Sequence, residues 1–247
     1  NGARTPMGGF QGDFNDVTSP DLGAVVIKEA VNRAGVQPQD IEEVIMGSIL
    51  TAGVGQSPAR QAMRKAGIPD AAGALNINKL CGSGMKAIML GANAIRGGEF
   101  DIVVAGGMES MTNAPYVLPK ARGGYRMGDG EIKDTMFLDG LKDAETGKLM
   151  GVFAQEMADK RGITREAMDA FAIESLSRAN NAINQGHFKD EIVPVTIKTR
   201  KGDVVIDTDE QPGKANVAKI PTLRPAFSKE GTVTAANSRS EERRVGK

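Results

Sequence analysis

The chain has 247 residues, 40% of them hydrophobic, and its 31 acidic side chains balance its 31 lysines and arginines. A zero net charge gives no electrostatic reason to bind nucleic acid or an anionic membrane surface. No apolar run is long enough to span a bilayer, and one cysteine and one histidine allow no disulfide framework and little metal binding. We therefore expect a cytoplasmic protein without a metal site that binds neither nucleic acid nor membranes.

In the first half of the chain, predicted helices alternate with predicted strands. Capping residues and glycines delimit the helices, with Ser19 as the cap of the first helix. The helices are predicted at residues 19–34, 57–67 and 83–96, and the strands at residues 43–50, 74–78 and 101–105. This alternation is typical of an α/β fold in which helices cover a parallel sheet.

The second half is less regular. Residues 108–150 are rich in Gly, Pro, Met and Asp without a clear period, and a loop of that length is usually functional. Beyond it, helices are predicted at residues 151–161 and 164–185, and strands at residues 191–198, 203–207 and 232–235. Residues 239–247 (RSEERRVGK) are charged and aperiodic, and they match the in-frame translation of a common sequencing adaptor. We interpret them as a non-native tail, with a natural basic tail as the alternative.

The single cysteine, Cys81, lies in the segment NKLCGSGMKA at residues 78–87. It could be a small buried hydrophobe, as most free cysteines are. The following glycines also match a dinucleotide fingerprint, but the polar Asn76 and Lys79 are unlike the apolar strand that precedes such a motif. The third interpretation is a nucleophile, because free N–H groups at a helix start favour a thiolate and can stabilise an oxyanion.

The segments around Cys81 resemble those of the thiolase family, and the similarity extends in order over residues 2–238. Among thiolases, the chain is most similar to the acetyl-CoA acetyltransferases. The similar segments are ARTPMGGF (3–10), NKLCGSGMKA (78–87), DIVVAGGMESMTNAPY (101–116), RGGYRMGDG (122–130), MFLDGL (136–141), LMG (149–151), REAMDAFAIES (165–175), EIVPV (191–195), DTDEQP (207–212) and GTVTAANS (231–238).

The resemblance implies a layered α-β-α fold with an inserted loop domain. Residues 1–107 and about 216–238 would form the N-terminal α/β domain, and residues from about 108 to 215 the loop domain. A C-terminal thiolase domain would follow in the sequence and is absent here. The resemblance also implies a homo-oligomer, dimer or tetramer, when the protein is full length.

The activity implied by the resemblance is acetyl-CoA C-acetyltransferase, which joins two acetyl-CoA molecules to form acetoacetyl-CoA or runs in reverse. Cys81 would carry the acyl group. Acyl-CoA and CoA would be substrates, and no cofactor is implied. In the family, the histidine that activates the nucleophile, a second cysteine and an asparagine motif lie in the second half of the full-length protein, beyond GTVTAANS. His187 occupies no catalytic position of the family and is expected at the surface. We therefore expect this chain alone to be inactive or nearly so.

Three further residues are substrate-binding candidates by resemblance. Met150 would line the pantetheine channel, although a core methionine is an equal alternative. Leu149 replaces a histidine of many acetyl-specific thiolases. Lys214 could supply positive charge near the CoA nucleotide, where many members have arginine, or could be an ordinary solvated lysine.

Three other functions remain open from the sequence. A longer-chain 3-oxoacyl-CoA thiolase is favoured by the apolar Leu149. A ketoacyl synthase shares the fold and nucleophile, but the long loop region argues against it. A non-catalytic thiolase-like protein that binds acyl-CoA or a partner subunit is the third alternative.

Overall fold

The computed structural model describes residues 1–238, so the predicted non-native tail at 239–247 lies outside the described residues. The described part divides into two compact units. The first contains Asn1–Gly140 and Glu191–Asp207, and the second contains Leu141–Asp190 and the residues from Thr208 onward. The division into an N-terminal domain and an inserted loop domain stays a prediction.

The first unit is built on a parallel sheet of three strands, β1 (Glu43–Gly47), β2 (Gly73–Ile77) and β3 (Val103–Gly107). The strand order is β2-β1-β3, with Val44 of the central strand opposite Ala74 on one side and Val104 on the other. Three helices accompany the sheet: α1 (Ser19–Ala34), α2 (Pro58–Lys65) and α3 (Ser83–Arg96). The predicted α/β arrangement with a parallel sheet is confirmed.

The core of this unit lies where α1 and α2 pack on the sheet. Its most deeply buried apolar side chains include Ile27 of α1, Val44 and Met46 of β1, and Met63 of α2, each no more than 1% exposed. Burying a large aliphatic side chain contributes about 1.5–3 kcal/mol. These contacts therefore fix the sheet and the two helices as one layered body.

One predicted helix cap is wrong, and the start of α2 depends on a polar group from another strand. Thr18, in an extended conformation, caps α1 by accepting the Asp21 N–H at 3.4 Å, so the predicted cap Ser19 is already helical. Ser57 precedes α2 with φ +42° and makes no capping bond through its side chain. Instead, the Asn76 side-chain oxygen on β2 accepts the Ala59 N–H at 2.5 Å.

The rest of the first unit contains short elements. Strands β4 (Tyr116–Val117) and β5 (Lys133–Asp134) pair antiparallel, and a π-helix covers Met136–Leu141. An antiparallel hairpin joins β6 (Val195–Thr199) to β7 (Gly202–Ile206). The long loop region is thus partly ordered, and the predicted strands at 191–198 and 203–207 exist with shifted bounds.

The second unit is mainly helical, with α4 (Met150–Arg161), α5 (Arg165–Asn184), α6 (Glu210–Lys214) and a 3-10 segment at Val217–Thr222. Thr164 caps α5 as predicted, accepting the Ala167 N–H at 3.2 Å. The predicted strand at 232–235 is wrong, because the amides of Thr232 and Val233 donate to the Gln155 side chain rather than to a strand. Within residues 1–238, no helix combines the length and the apolar character needed to cross a membrane.

Candidate active site

Cys81 lies beyond the carboxyl end of β2, on the side of the parallel sheet where all three strands end. It follows β2 by four residues and precedes α3 by two, and its side chain is exposed. Ligand sites of open α/β sheets lie outside the carboxyl ends of the strands. The exposure contradicts the interpretation of Cys81 as a buried hydrophobe and agrees with a thiol that a substrate can reach.

The turn that carries Cys81 is held by hydrogen bonds among its own residues. The Asn78 side-chain oxygen accepts the Leu80 N–H at 2.9 Å. The Ser83 hydroxyl accepts the Lys79 N–H at 2.8 Å and donates to the Leu80 carbonyl at 2.6 Å. The Gly82 N–H donates to the Lys79 carbonyl at 3.1 Å. These bonds hold Leu80, the residue before the cysteine, in the left-handed region at φ +48°.

Glycines allow the start of α3 to lie directly against the strand ends. A Cβ atom on Gly47, the last residue of β1, would overlap the backbone of Ser83 and Gly84. A Cβ on Gly107, the last residue of β3, would lie 3.2 Å from the Gly84 Cα. The backbone contact between helix start and sheet edge therefore depends on the absence of side chains at these positions.

The loop after β1 is held by Glu109, for which the sequence contains no local signal. The Glu109 carboxylate, two residues after β3, accepts the N–H groups of Ile49 at 2.7 Å and Leu50 at 3.1 Å. It also accepts the Ser48 hydroxyl at 3.4 Å. Because this contact spans about 60 residues of sequence, no local pattern could have indicated it.

The first turn of α3 keeps donor groups available. The Ser83 and Lys86 amides bond to the Leu80 and Gly82 carbonyls, but within residues 1–238 the Gly84 and Met85 amides have no acceptor. Free N–H groups and the helix dipole place partial positive charge at a helix start. A thiolate or an oxyanion at this end of α3 would be stabilised by these groups.

An apolar surface continues along α3 from the cysteine turn. Leu80, Met85, Ile88, Met89 and Ile95 are each at least 45% exposed. Exposed apolar side chains therefore follow the cysteine turn along α3.

The other predicted site residues lie in the second unit. Leu149 is the residue before α4 and pairs with Lys142 in an antiparallel bridge, and Met150 is the first residue of the helix. Met150 is 44% exposed, so it is not a core residue of this unit as the structure describes it. Leu149 and Met150 thus present adjacent apolar side chains at one helix start.

Lys214 is paired with a buried carboxylate. Its ammonium lies 2.5 Å from the Glu210 carboxylate, one turn earlier on α6, and the Glu210 side chain is only 4% exposed. Much of its charge is therefore already balanced within α6. The ion pair was not predicted from the sequence, although a spacing of four residues between opposite charges on a helix is a recognised sign of one.

A cavity of about 350 Å³ lies in the second unit between α5, α6 and the 3-10 segment, and both Lys214 and Lys219 line it. The Ser175 hydroxyl also lines the cavity, is buried, and has no hydrogen-bond partner among the described residues. No carboxylate is among the lining residues. No sequence pattern had indicated a role for Lys219 or Ser175.

His187 follows α5 at the surface, as predicted. Among residues 1–238, no group of three or more His, Cys, Asp or Glu side chains is arranged to hold a metal ion.

Comparison with known proteins gives consistent results. Residues 1–240 match the thiolase N-terminal domain. An acetyl-CoA acetyltransferase of Cupriavidus necator is 54% identical over 238 residues, which are 96% of this chain and 61% of that protein. Proteins of the same name are 48% identical in Pseudomonas aeruginosa and 50% identical in Candida albicans, covering 96% of this chain and 61% and 60% of theirs.

The chain thus spans about 60% of the length of these curated relatives. The match covers nearly the whole chain, including the sheet, the cysteine turn and the helices of the second unit. The chain belongs to the thiolase family.

Proposed function

We propose that the protein containing this chain is an acetyl-CoA C-acetyltransferase and that Cys81 is its acyl-carrying nucleophile. The observation that carries the proposal is the exposed thiol at the start of α3, at the carboxyl edge of the parallel sheet. The relatives named acetyl-CoA acetyltransferase, about half identical over almost the whole chain, support the choice of reaction.

In the first step, the Cys81 thiolate attacks the carbonyl carbon of acetyl-CoA. The bond between that carbon and the CoA sulfur breaks, and CoA leaves as a thiolate that takes up a proton. The acetyl group is now a thioester of Cys81. The free amides of Gly84 and Met85 are available to stabilise negative charge that develops at this end of the helix.

In the second step, a base removes a methyl proton from a second acetyl-CoA, and the resulting carbanion attacks the acetyl carbon on Cys81. The carbon–sulfur bond to Cys81 breaks, releasing acetoacetyl-CoA and restoring the thiolate. We assign this base to no residue among 1–238. His187, the one histidine, is exposed beyond α5, so we propose no catalytic role for it.

Substrate binding is proposed for the second unit. The exposed Met150 and its neighbour Leu149 offer apolar contact suited to the pantetheine arm. The cavity lined by Lys214 and Lys219 suits part of a CoA molecule, because it combines apolar walls, two cations and a hydroxyl without a partner. The pairing of Lys214 with Glu210 reduces the charge it can offer to phosphate.

We further propose that the whole protein is cytoplasmic and homo-oligomeric.

A longer-chain 3-oxoacyl-CoA thiolase is the second candidate function. The observation that favours it is the half-buried leucine at position 149, whose apolar side chain can contact a longer acyl chain. The values of kcat/KM for acyl-CoA substrates of increasing length would separate the two functions. A maximum at the acetoacetyl thioester supports the acetyl-specific enzyme, and a maximum at longer chains supports the second candidate.

The proposed nucleophile is tested by exposing the intact protein to acetyl-CoA and locating the acetyl group by mass spectrometry of peptides. We expect acetylation at Cys81, and we expect Cys81→Ala to lower turnover by at least about a thousandfold. Ser177→Ala, at an exposed serine of α5, is the control for general damage. A folded wild-type protein that turns over acetyl-CoA with Cys81 unmodified would contradict the proposal.

A further inference from the structure

The residue before Cys81 has an unusual backbone conformation. Leu80 has φ +48°, in the left-handed region that side chains with a Cβ adopt only at an energetic cost. Such conformations persist when surrounding contacts hold them. Because φ and ψ of Leu80 set the direction of the chain into Cys81, the contacts that hold Leu80 also determine where the thiol lies.

The Ser83 hydroxyl is the side-chain group best placed to hold this conformation. It is on a residue only 4% exposed, accepts the Lys79 N–H at 2.8 Å and donates to the Leu80 carbonyl at 2.6 Å. A hydroxyl can accept and donate at once, which an alanine side chain cannot do. The Ser83 hydroxyl therefore links the Lys79 N–H to the Leu80 carbonyl.

These bonds differ from ordinary helix capping. The cap residue of α3 is Gly82, and no side chain caps the helix start. The Ser83 hydroxyl bonds backward into the turn and leaves the Gly84 and Met85 amides without an acceptor among the described residues. A serine that only stabilised the helix would be expected to accept one of those amides.

We infer that Ser83 is a positioning residue that acts on Cys81 through Leu80. Its hydroxyl holds Leu80 in the left-handed conformation, and this directs the thiol toward the acyl donor while keeping the helix-start amides free. This inference rests on the proposed function of Cys81 as the acyl acceptor. Ser83 itself takes no part in bond making or breaking.

The test is a double-mutant cycle in the intact protein, with Ser83→Ala, Leu80→Gly and the two combined. The measured quantities are the single-turnover rate of Cys81 acetylation by acetyl-CoA, the KM for acetyl-CoA and the thermal unfolding midpoint. We expect Ser83→Ala to slow acetylation by about 10- to 100-fold, with KM changed less than about twofold, since a small misplacement of a reacting group is costly.

The glycine background distinguishes positioning from general structural support. Glycine adopts the left-handed region without the cost that leucine bears, so Ser83→Ala should slow acetylation less than about fivefold when residue 80 is glycine. Ser83→Thr, which keeps a hydroxyl, should restore most of the wild-type rate. Ser177→Ala, at an exposed serine of α5, is the control for the substitution itself.

Three results would overturn the inference. Acetylation of Ser83→Ala at the wild-type rate excludes a positioning role. An equal slowing with leucine and with glycine at residue 80 shows that Ser83 does not act through Leu80. A drop in unfolding midpoint without a change in acetylation rate shows a purely structural role. If Ser83→Ala does not fold, two other comparisons of the acetylation rate test the inference. The double variant is compared with Leu80→Gly, and Ser83→Thr is compared with wild type.

Failure of the proposed function gives a different result. A wild-type protein whose Cys81 is never acetylated removes the acyl-acceptor role and this inference with it. A wild-type protein that is acetylated while Ser83→Ala reacts equally fast removes the inference alone.

Discussion

The two compact units fix their irregular segments in different ways. In the first unit, the turn around Cys81 is held by bonds among residues 78–83 and by backbone contact with the ends of β1 and β3. In the second unit, residues 217–238 are held by buried and half-buried side chains that are 55 or more residues away in sequence.

Two polar groups carry this long-range support. The buried Gln155 side-chain oxygen accepts the N–H groups of Thr232 and Val233, both at 2.9 Å. Arg165 pairs with the buried Asp169 at 2.7 Å and also donates to backbone carbonyls of the 3-10 segment and of the residue that follows it. The turn at residues 78–83 therefore depends on contacts among its own residues. Residues 217–238 depend instead on a few side chains that are distant in sequence.

The strongest way to break this comparison is to remove Gln155. Gln155→Ala leaves one buried and one half-buried amide without their acceptor, and we expect the free energy of unfolding to fall by about 3 kcal/mol. Chemical denaturation of the intact protein measures the change. Lys160→Ala, at an exposed position of the same helix, should change it by less than about 0.5 kcal/mol. Equal effects of the two substitutions would show that Gln155 does not hold the 232–233 segment.

The corresponding change in the first unit is Gly47→Ala. The new methyl group would overlap the backbone of Ser83 and Gly84, so either the helix start or the strand end must move. We expect a loss of about 2 kcal/mol in the free energy of unfolding, as is usual for overpacking. Gly2→Ala is the matched control, because a Cβ there meets nothing within 4 Å. A Gly47→Ala protein as stable as the control would mean that the close approach is easily relieved.

The same difference explains what the sequence could predict. The helix at Ser83–Arg96 has the predicted bounds, and the three strands of the parallel sheet lie within a few residues of theirs, because glycines and short apolar runs are local signals. The position of the cysteine at a helix start follows from the same signals. The fold class and the candidate nucleophile were therefore accessible from sequence patterns and family resemblance.

The wrong cap of α1 is a local shift of one residue, from Ser19 to Thr18, whereas the wrong strand lies where a distant group decides the local structure. Residues 232–235 are apolar and β-branched enough to indicate a strand, yet Gln155 takes two of their amides. The first turn of α2 likewise depends on a distant group, because Asn76 on a neighbouring strand accepts the Ala59 N–H. The hydrogen bonds of Ser83 were not predicted for another reason, since they are local but accompany a left-handed leucine that no propensity predicts.

The smallest expected effect comes from an exposed polar contact of the first unit, at Asp21. Partial burial of this carboxyl raises its pKa, but hydrogen bonds from Lys65 and Thr18 and the charge of Lys65 outweigh that effect, so the pKa lies below its ordinary value of 3.8. A carboxyl with a lowered pKa in the folded state stabilises the protein above the ordinary value, and this stabilisation is lost as the pH falls through the folded-state pKa.

Asp21→Asn should therefore lower the free energy of unfolding by less than about 1 kcal/mol at neutral pH, because the ion pair is exposed and screened. The difference from wild type should shrink as the pH falls below 3.8, which denaturation at a series of pH values would reveal. Asp139→Asn, at an exposed residue outside any ion pair in the described chain, serves as the control. A difference that stayed constant with pH would assign the effect to helix capping by Thr18 rather than to the charge of Asp21. It would also show that the first unit, like the second, depends on the hydrogen-bonding geometry of its side chains more than on their ionisation.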